Sequence, residues 1–223
     1  MKTSENFSPY TTFIFDLDGT LLDTLGDLAA SVNYAMSRHG MRTYSTGEVR
    51  MMVGNGVVKL IERAVPGGRE NPYFEAALDT FRQHYLQHSL DTTRPYDGII
   101  DMLGELKQRG CQTAVVSNKF DAATKSLCRH FFPTAIDVAI GEHEAEGIRR
   151  KPAPDTVMEA LRQLKADPAR AVYVGDSDVD IDTAAASGLP CISVLWGFRD
   201  RHFLEAHGAT TFAASPADLL RFL

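Results

Sequence analysis

Asp16 and Asp18 stand two positions apart at the end of an apolar run, in Phe13-Ile14-Phe15-Asp16-Leu17-Asp18-Gly19-Thr20. Side chains along a strand repeat every second residue, so the two carboxylates emerge on the same side. Folding gains nothing from two like charges held that close. Such a pair marks a metal site or an acid placed beside a nucleophile. Three more polar clusters follow in the chain: Ser117-Asn118-Lys119, Lys151-Pro152 and Gly175-Asp176-Ser177-Asp178-Val179-Asp180.

The elements around these clusters explain how they would meet. Thr11–Phe15, Gln112–Val116, Ile136–Ile140, Ala171–Val174 and Cys191–Leu195 are short and nearly continuously apolar, the pattern of parallel strands covered on both faces. Segments with helical spacing alternate with them, among them Ile99/Leu103/Leu106, Ala123/Leu127/Phe131 and Val157/Leu161/Leu164. The alternation predicts an α/β fold, a Rossmann-like doubly wound parallel sheet. Ligands in such sheets bind beyond the carboxyl ends of the strands, where the polar clusters fall, with Lys151-Pro152 opening the helix before the fourth strand. One interval is too long for a single crossover. Leu25, Leu28, Ala29, Val32, Ala35 and Met36 form one helical stripe there, and Phe74, Ala77, Leu78, Phe81 and Tyr85 another. Residues 24–93 are therefore read as an inserted α-helical cap, and 1–23 with 94–223 as the core. The hinges are expected near Asp23–Leu25 and Thr92–Pro95.

Composition narrows the class. A net charge of −6 argues against a nucleic-acid surface. Arg149 and Arg150 are equally well read as a solvated loop. No stretch approaches the roughly 20 apolar residues of a membrane span, and the N-terminal segment lacks the apolar core of a leader, so the expected location is the cytoplasm. Asn6-Phe7-Ser8 then matches a glycosylation acceptor by chance. Cys111, Cys128 and Cys191 fit neither a metal spacing nor a disulfide framework and are read as buried thiols. The histidines lack ligand spacing. His84 and His88 share a helix face, but no third ligand accompanies them.

Taken together, Asp16-Leu17-Asp18-Gly19-Thr20, Ser117-Asn118, Lys151 and the Gly175–Asp180 run resemble, in order, the four motifs of the haloacid dehalogenase superfamily of phosphohydrolases. The helical insertion falls where that family carries its small cap. Within the family the likeness is to phosphoglycolate phosphatase, through Val53-Gly54-Asn55-Gly56, Ser117-Asn118-Lys119, Arg150-Lys151-Pro152 and Leu195-Trp196-Gly197-Phe198-Arg199.

The resemblance implies a Mg2+-dependent phosphatase that hydrolyses a small phosphomonoester, 2-phosphoglycolate foremost, through an aspartyl phosphate. Asp16 is the expected nucleophile, and Asp18 the acid that protonates the leaving oxygen and later activates water. For the first role Asp18 must be protonated, a form the neighbouring charge of Asp16 favours. The implied metal ligands are the Asp16 carboxylate, the Asp18 carbonyl and the Asp176 carboxylate, with Asp180 supporting the shell or orienting Lys151. A hard divalent cation suits four acids that would otherwise repel a phosphate dianion. Thr20, Ser117, Asn118 and Lys151 are the expected phosphate-binding residues. Asp178 and Asp182 are read as solvent-facing acids in the first turn of a helix. Lys119 is either a site residue or a surface lysine. Arg50 or Lys59 is a candidate cap cation for a substrate carboxylate, and Val53-Gly54-Asn55-Gly56 a candidate specificity turn. Pyrophosphatase, sugar-phosphate phosphatase and phosphomutase activities are the alternatives within the superfamily. A non-catalytic phosphate-binding module is the alternative outside it. The expected partner is a small phosphorylated metabolite, with neither nucleic acid nor membrane involved, and the expected state is monomer or homodimer.

Overall fold

A computed structural model describes residues 9–142, 144 and 147–223. The Asn6-Phe7-Ser8 triplet, the N-terminal segment read for a leader and His143 lie outside the described residues. The chain opens with β1 (Thr12–Phe15) and a two-residue strand, β2 (Leu22–Asp23). Helices α1 (Leu25–Arg38), α2 (Thr46–Met52), α3 (Val57–Ala64) and α4 (Phe74–His88) follow, before the chain returns through β3 (Arg94–Pro95). Then come α5 (Ile99–Gln108), β4 (Gln112–Phe120), α6 (Asp121–Phe131), β5 (Val138–Glu142), α7 (Asp155–Leu164) and β6 (Ala171–Gly175). The chain continues with α8 (Asp178–Ala186), β7 (Cys191–Val194), α9 (Arg201–Ala206) and β8 (Phe212–Ala213).

Six parallel strands form the sheet, in the order β5-β4-β1-β6-β7-β8. Alternate residues of β1 feed opposite layers. Phe13, Phe15 and Leu17 pack with Ile99, Leu103 and Leu106 of α5 and Leu127 of α6. Ile14 packs with Val157, Ala160 and Leu161 of α7 and Ala184 of α8. Both faces are thus covered, which is why the strands read as unbroken apolar runs.

Several expected boundaries move. β5 begins at Val138 rather than Ile136, and β4 extends to Phe120. The pairing of β4 with β5 breaks after Val116 and resumes at Phe120 opposite Glu142. Ser117, Asn118 and Lys119 therefore occupy a register shift inside an extended segment rather than a loop beyond it. Lys151-Pro152 does not open a helix, since α7 begins at Asp155. β8 was not anticipated; two residues at a sheet edge carry too little periodicity to be seen.

Helices α1–α4 enclose an apolar cluster of their own, with Val32, Met36, Ile61, Phe74, Phe81 and Tyr85 among its members. The chain crosses into this cap and out of it side by side. β2 pairs antiparallel with β3, Leu22 opposite Pro95 and Asp23 opposite Arg94. One turn further, buried Asp27 accepts hydrogen bonds from the backbone N–H and hydroxyl of both Thr92 and Thr93, at 2.6–3.0 Å. The two linkers are stapled to each other rather than free. No helix among the described residues is long and apolar enough to cross a membrane.

Candidate active site

The carboxyl ends of β1, β4 and β6 and the loop before α7 converge beneath the cap. Lys151 is buried and donates to Asp16 Oδ1 (2.8 Å), Asp180 Oδ1 (2.8 Å) and the Tyr173 hydroxyl (3.1 Å). Those three bonds occupy all three of its donors. Burial opposes its charge, but Asp16 and Asp180 outweigh that and hold the ammonium well above its ordinary range. Tyr173 points into the α7/α8 layer with Ile14, and that orientation carries its hydroxyl to this cluster.

Asp180 occupies the first turn of α8. Tyr173 also donates to its Oδ1 (3.1 Å). Its Oδ2 accepts from the Asp176 and Ser177 backbone N–H groups and from Ser177 Oγ. With both oxygens engaged, Asp180 orients Lys151 and the Gly175–Ser177 turn. Asp176 Oδ2 accepts from Phe198 N–H at 2.6 Å, and Thr20 Oγ1 donates to its other oxygen at 3.4 Å. Glycine is needed around Asp176 for steric reasons. A Cβ on Gly19 would lie 2.5 Å from Asp176 Oδ2, and one on Gly197 would lie 2.3 Å from Asp176 Cβ.

Oxygens of Asp16, Asp176 and Asp180 lie within 4.8 Å of one another, all three residues buried. Burial pushes the Asp16 carboxyl up to about 7; Lys151 opposes the rise, while Asp180 and Asp18 add to it. Burial likewise holds Asp176 well above the carboxylate range, with Asp180 and Asp16 contributing. Buried acids that resist ionisation beside one another fit a hard divalent cation with oxygen ligands, which would relieve both penalties.

Asp16, Asp18, Ser117, Asn118, Lys151 and Asp176 all line a cavity of about 50 Å³. Thr20 and Asp180 stand behind that wall and act through Asp176 and Lys151. Asn118 donates to the Lys151 carbonyl and leaves its buried Oδ1 without a hydrogen bond. Asp182 is exposed and Asp178 half-buried, and neither lines the cavity. The opposite wall comes from the cap: Leu28, Val53, Gly54, Gly56, Val57 and Leu60.

Arg50 and Lys59 do not fulfil the expectation of a cap cation facing the substrate. Arg50 donates to the carbonyls of Phe198 (2.6 Å) and Gly197 (2.8 Å), and Lys59 pairs with Glu62 on its own helix. Arg199 answers Arg50 from the core, donating to the carbonyls of Arg50 and Val53. The two arginines clasp cap to core because each ends opposite unpaired carbonyls of the other part. Lys119 is not a surface lysine. It is 4% exposed, lies 3.1 Å from Asp18 Oδ1 and donates to the Tyr85 hydroxyl of α4 at 2.8 Å. Burial opposes its charge, but Asp18 more than compensates and raises it above the ordinary lysine range. Asp18 therefore faces a cation as well as the neighbouring Asp16 carboxylate. Tyr85 and Tyr173 carry little sequence signal, since each is ordinary in its local segment; Lys119 and Arg199 fall in segments that carry the family likeness, but nothing local shows their partners. Cys111 and Cys128 are buried, Cys191 is half-buried, and all three are free. His84 is tied to Ser31 Oγ and stacks on Tyr34 and His88.

A haloacid dehalogenase-like hydrolase family model matches residues 13–194. The phosphoglycolate phosphatase of Mesorhizobium japonicum is 34% identical over 86% of this chain and 86% of its own length. The N-acetylmuramic acid 6-phosphate phosphatase of Pseudomonas aeruginosa is 28% identical, covering 94% of this chain and 93% of that protein. Among solved structures, a Lactobacillus delbrueckii subsp. bulgaricus protein, provisionally assigned as a phosphoglycolate phosphatase, superposes with a TM-score of 0.91. It is 36% identical over 95% of this chain and 97% of its own.

Proposed function

The chain belongs to the haloacid dehalogenase-like hydrolase family and is a phosphoric monoester hydrolase, and we propose that it is a Mg2+-dependent phosphatase for a small phosphomonoester, foremost 2-phosphoglycolate. The observation that carries this reading is the contact of Lys151 with Asp16 at a cavity that is also lined by Asp18 and Asp176. The relatives supply the substrate.

In the proposed mechanism Asp16 attacks phosphorus in line with the leaving oxygen, forming an aspartyl phosphate. Lys151 fixes the Asp16 carboxylate and neutralises charge on the phosphoryl group. Asp18 gives its proton to the departing alkoxide. It then takes one from the water that opens the acyl phosphate, releasing phosphate and restoring Asp16. Ser117 and Asn118 hold phosphoryl oxygens; Thr20 steadies Asp176, and Asp180 steadies Lys151. The Asp16 carboxylate, the Asp18 carbonyl and the Asp176 carboxylate would hold Mg2+, which supplies charge neutralisation at the phosphoryl oxygens. The cap excludes water from the cavity during the first step. We place this reaction in the cytoplasm, with a small metabolite as the only partner and the chain a monomer or homodimer.

The test is a panel of small phosphomonoesters assayed with Mg2+, 2-phosphoglycolate and N-acetylmuramic acid 6-phosphate among them. The highest kcat/KM is expected for 2-phosphoglycolate; a higher value for the sugar phosphate refutes the substrate assignment. Asp16→Asn is expected to lose at least about 10³-fold in kcat, and near-normal turnover would refute the nucleophile. Asp18→Asn should harm alkyl phosphates more than activated aryl phosphates, and equal losses would remove its role as the acid.

A further inference from the structure

Three cations line the cavity, and they are not equally engaged. Lys151 has its donors on Asp16, Asp180 and Tyr173. Arg199 has both terminal nitrogens on cap carbonyls. Lys119 is as buried as Lys151, yet its ammonium makes one hydrogen bond, to the neutral Tyr85 hydroxyl. Its approach to Asp18 is close but lacks hydrogen-bond geometry, so that buried Asp18 oxygen has no hydrogen bond at all. An ammonium carries three donors, and burying them without acceptors is costly. Lys119 is thus ion-paired with Asp18 and hydrogen-bonded to Tyr85, which leaves a donor of its ammonium for a group in the cavity.

Its position determines which part of a substrate it would meet. It lies beside Asp18, the residue given the leaving oxygen in the mechanism above, while Lys151 holds Asp16. The rest of that side is apolar or glycine: Leu28, Val53, Gly54, Gly56, Val57 and Leu60. Neither Arg50 nor Lys59 lines the cavity; Arg199 does and keeps a buried Nε without a partner, but its two terminal nitrogens are held on cap carbonyls, whereas Lys119 stands beside Asp18. We propose that the Lys119 ammonium, held against the cap by Tyr85, reads an anionic group on the leaving alcohol, a carboxylate one carbon from the ester oxygen, and so makes this residue the specificity determinant. The proposal rests on the phosphatase reading above and deepens it. Tyr85 comes from α4, so the recognising cation is positioned by the cap although it grows from the core. Closure of the cap and recognition of the carboxylate then depend on one contact.

The experiment compares kcat/KM for 2-phosphoglycolate and 2-hydroxyethyl phosphate, which share a two-carbon skeleton and differ in carboxylate against hydroxymethyl. The wild-type protein should prefer 2-phosphoglycolate by about 10- to 100-fold, the range for one lost charge-assisted contact in a buried site. Lys119→Met should slow the carboxylate substrate by about tenfold more than the alcohol, and so reduce that preference, whatever loss both share through Asp18. Lys119→Arg should retain part of it, and Tyr85→Phe should weaken it with the charge still present. Equal turnover of both esters by the wild-type protein overturns the proposal whatever the variants do. Equal losses on both esters in Lys119→Met also overturn it, because the lysine would then act only through Asp18. If p-nitrophenyl phosphate is hydrolysed and 2-phosphoglycolate is not, the substrate reading fails and the proposal with it, an outcome distinct from equal turnover.

Discussion

Replacing Asp27 with asparagine should loosen the junction between cap and core without touching the chemistry. Asp27 is 1% exposed, and each of its oxygens accepts one backbone N–H and one threonine hydroxyl. Asparagine keeps one oxygen but turns an amide NH2 toward the other pair. The hydroxyl there can rotate and accept; the backbone N–H cannot. One buried donor is left unpaired, and the surviving bonds lose their charge assistance, together about 3 kcal/mol. For a chain of this length that is a fall in Tm of about 6–12 °C. Asp27 does not line the cavity, so kcat/KM at 25 °C should stay within about threefold of wild type. Calorimetry and steady-state kinetics on Asp27→Asn read both quantities. A Tm within about 2 °C of wild type would refute the claim that the four bonds hold the linkers together.

Other outcomes follow from the same contacts. Arg50→Ala removes two hydrogen bonds to the Gly197 and Phe198 carbonyls, so amide exchange in Val53–Gly56 should quicken by about tenfold; unchanged exchange would show that Arg50 does not clasp the cap. Mg2+ should raise Tm more at pH 7.5 than at pH 5.5. The Asp16 carboxyl, raised to about 7 chiefly by burial, binds its proton more tightly folded than unfolded, so the metal-free protein loses stability as pH rises from about 4 to 7 and a bound cation restores it. A shift equal at the two pH values would contradict this. Burial pushes the thiols of Cys128 and Cys191 up to about 12 and raises Cys111 as well. An aromatic disulfide reagent at pH 8 should therefore react slowly with the folded protein and with all three thiols after denaturation. Rapid reaction of the folded chain would contradict that environment.

Local sequence determined the layers of this protein and the chemical types at its site. Apolar runs four or five residues long, separated by helical stripes, are enough to specify a covered parallel sheet. The spacing of Asp16 and Asp18 places two carboxylates at the end of β1, and Leu17 packing with Phe13 and Phe15 shows that alternation carried through. The helical stripes of α1 and α4 were legible because both bury one face in a cluster of their own. What was not legible depends on partners far away in the chain. Tyr173 looks like any strand residue until the sheet brings its hydroxyl to Lys151. Arg50 looks like a cap cation until Gly197 and Phe198 offer it their carbonyls. Lys119 reads as a surface lysine or a site residue with equal ease, because its burial comes from α4. The division between Asp176, facing the cavity, and Asp180, held behind it by five donors, likewise needs the folded loop. Periodicity and residue type are properties of neighbours in sequence, whereas burial and hydrogen-bond geometry are properties of neighbours in space. The sequence could therefore name the reaction's groups, and only the tertiary structure could say which of them face the substrate.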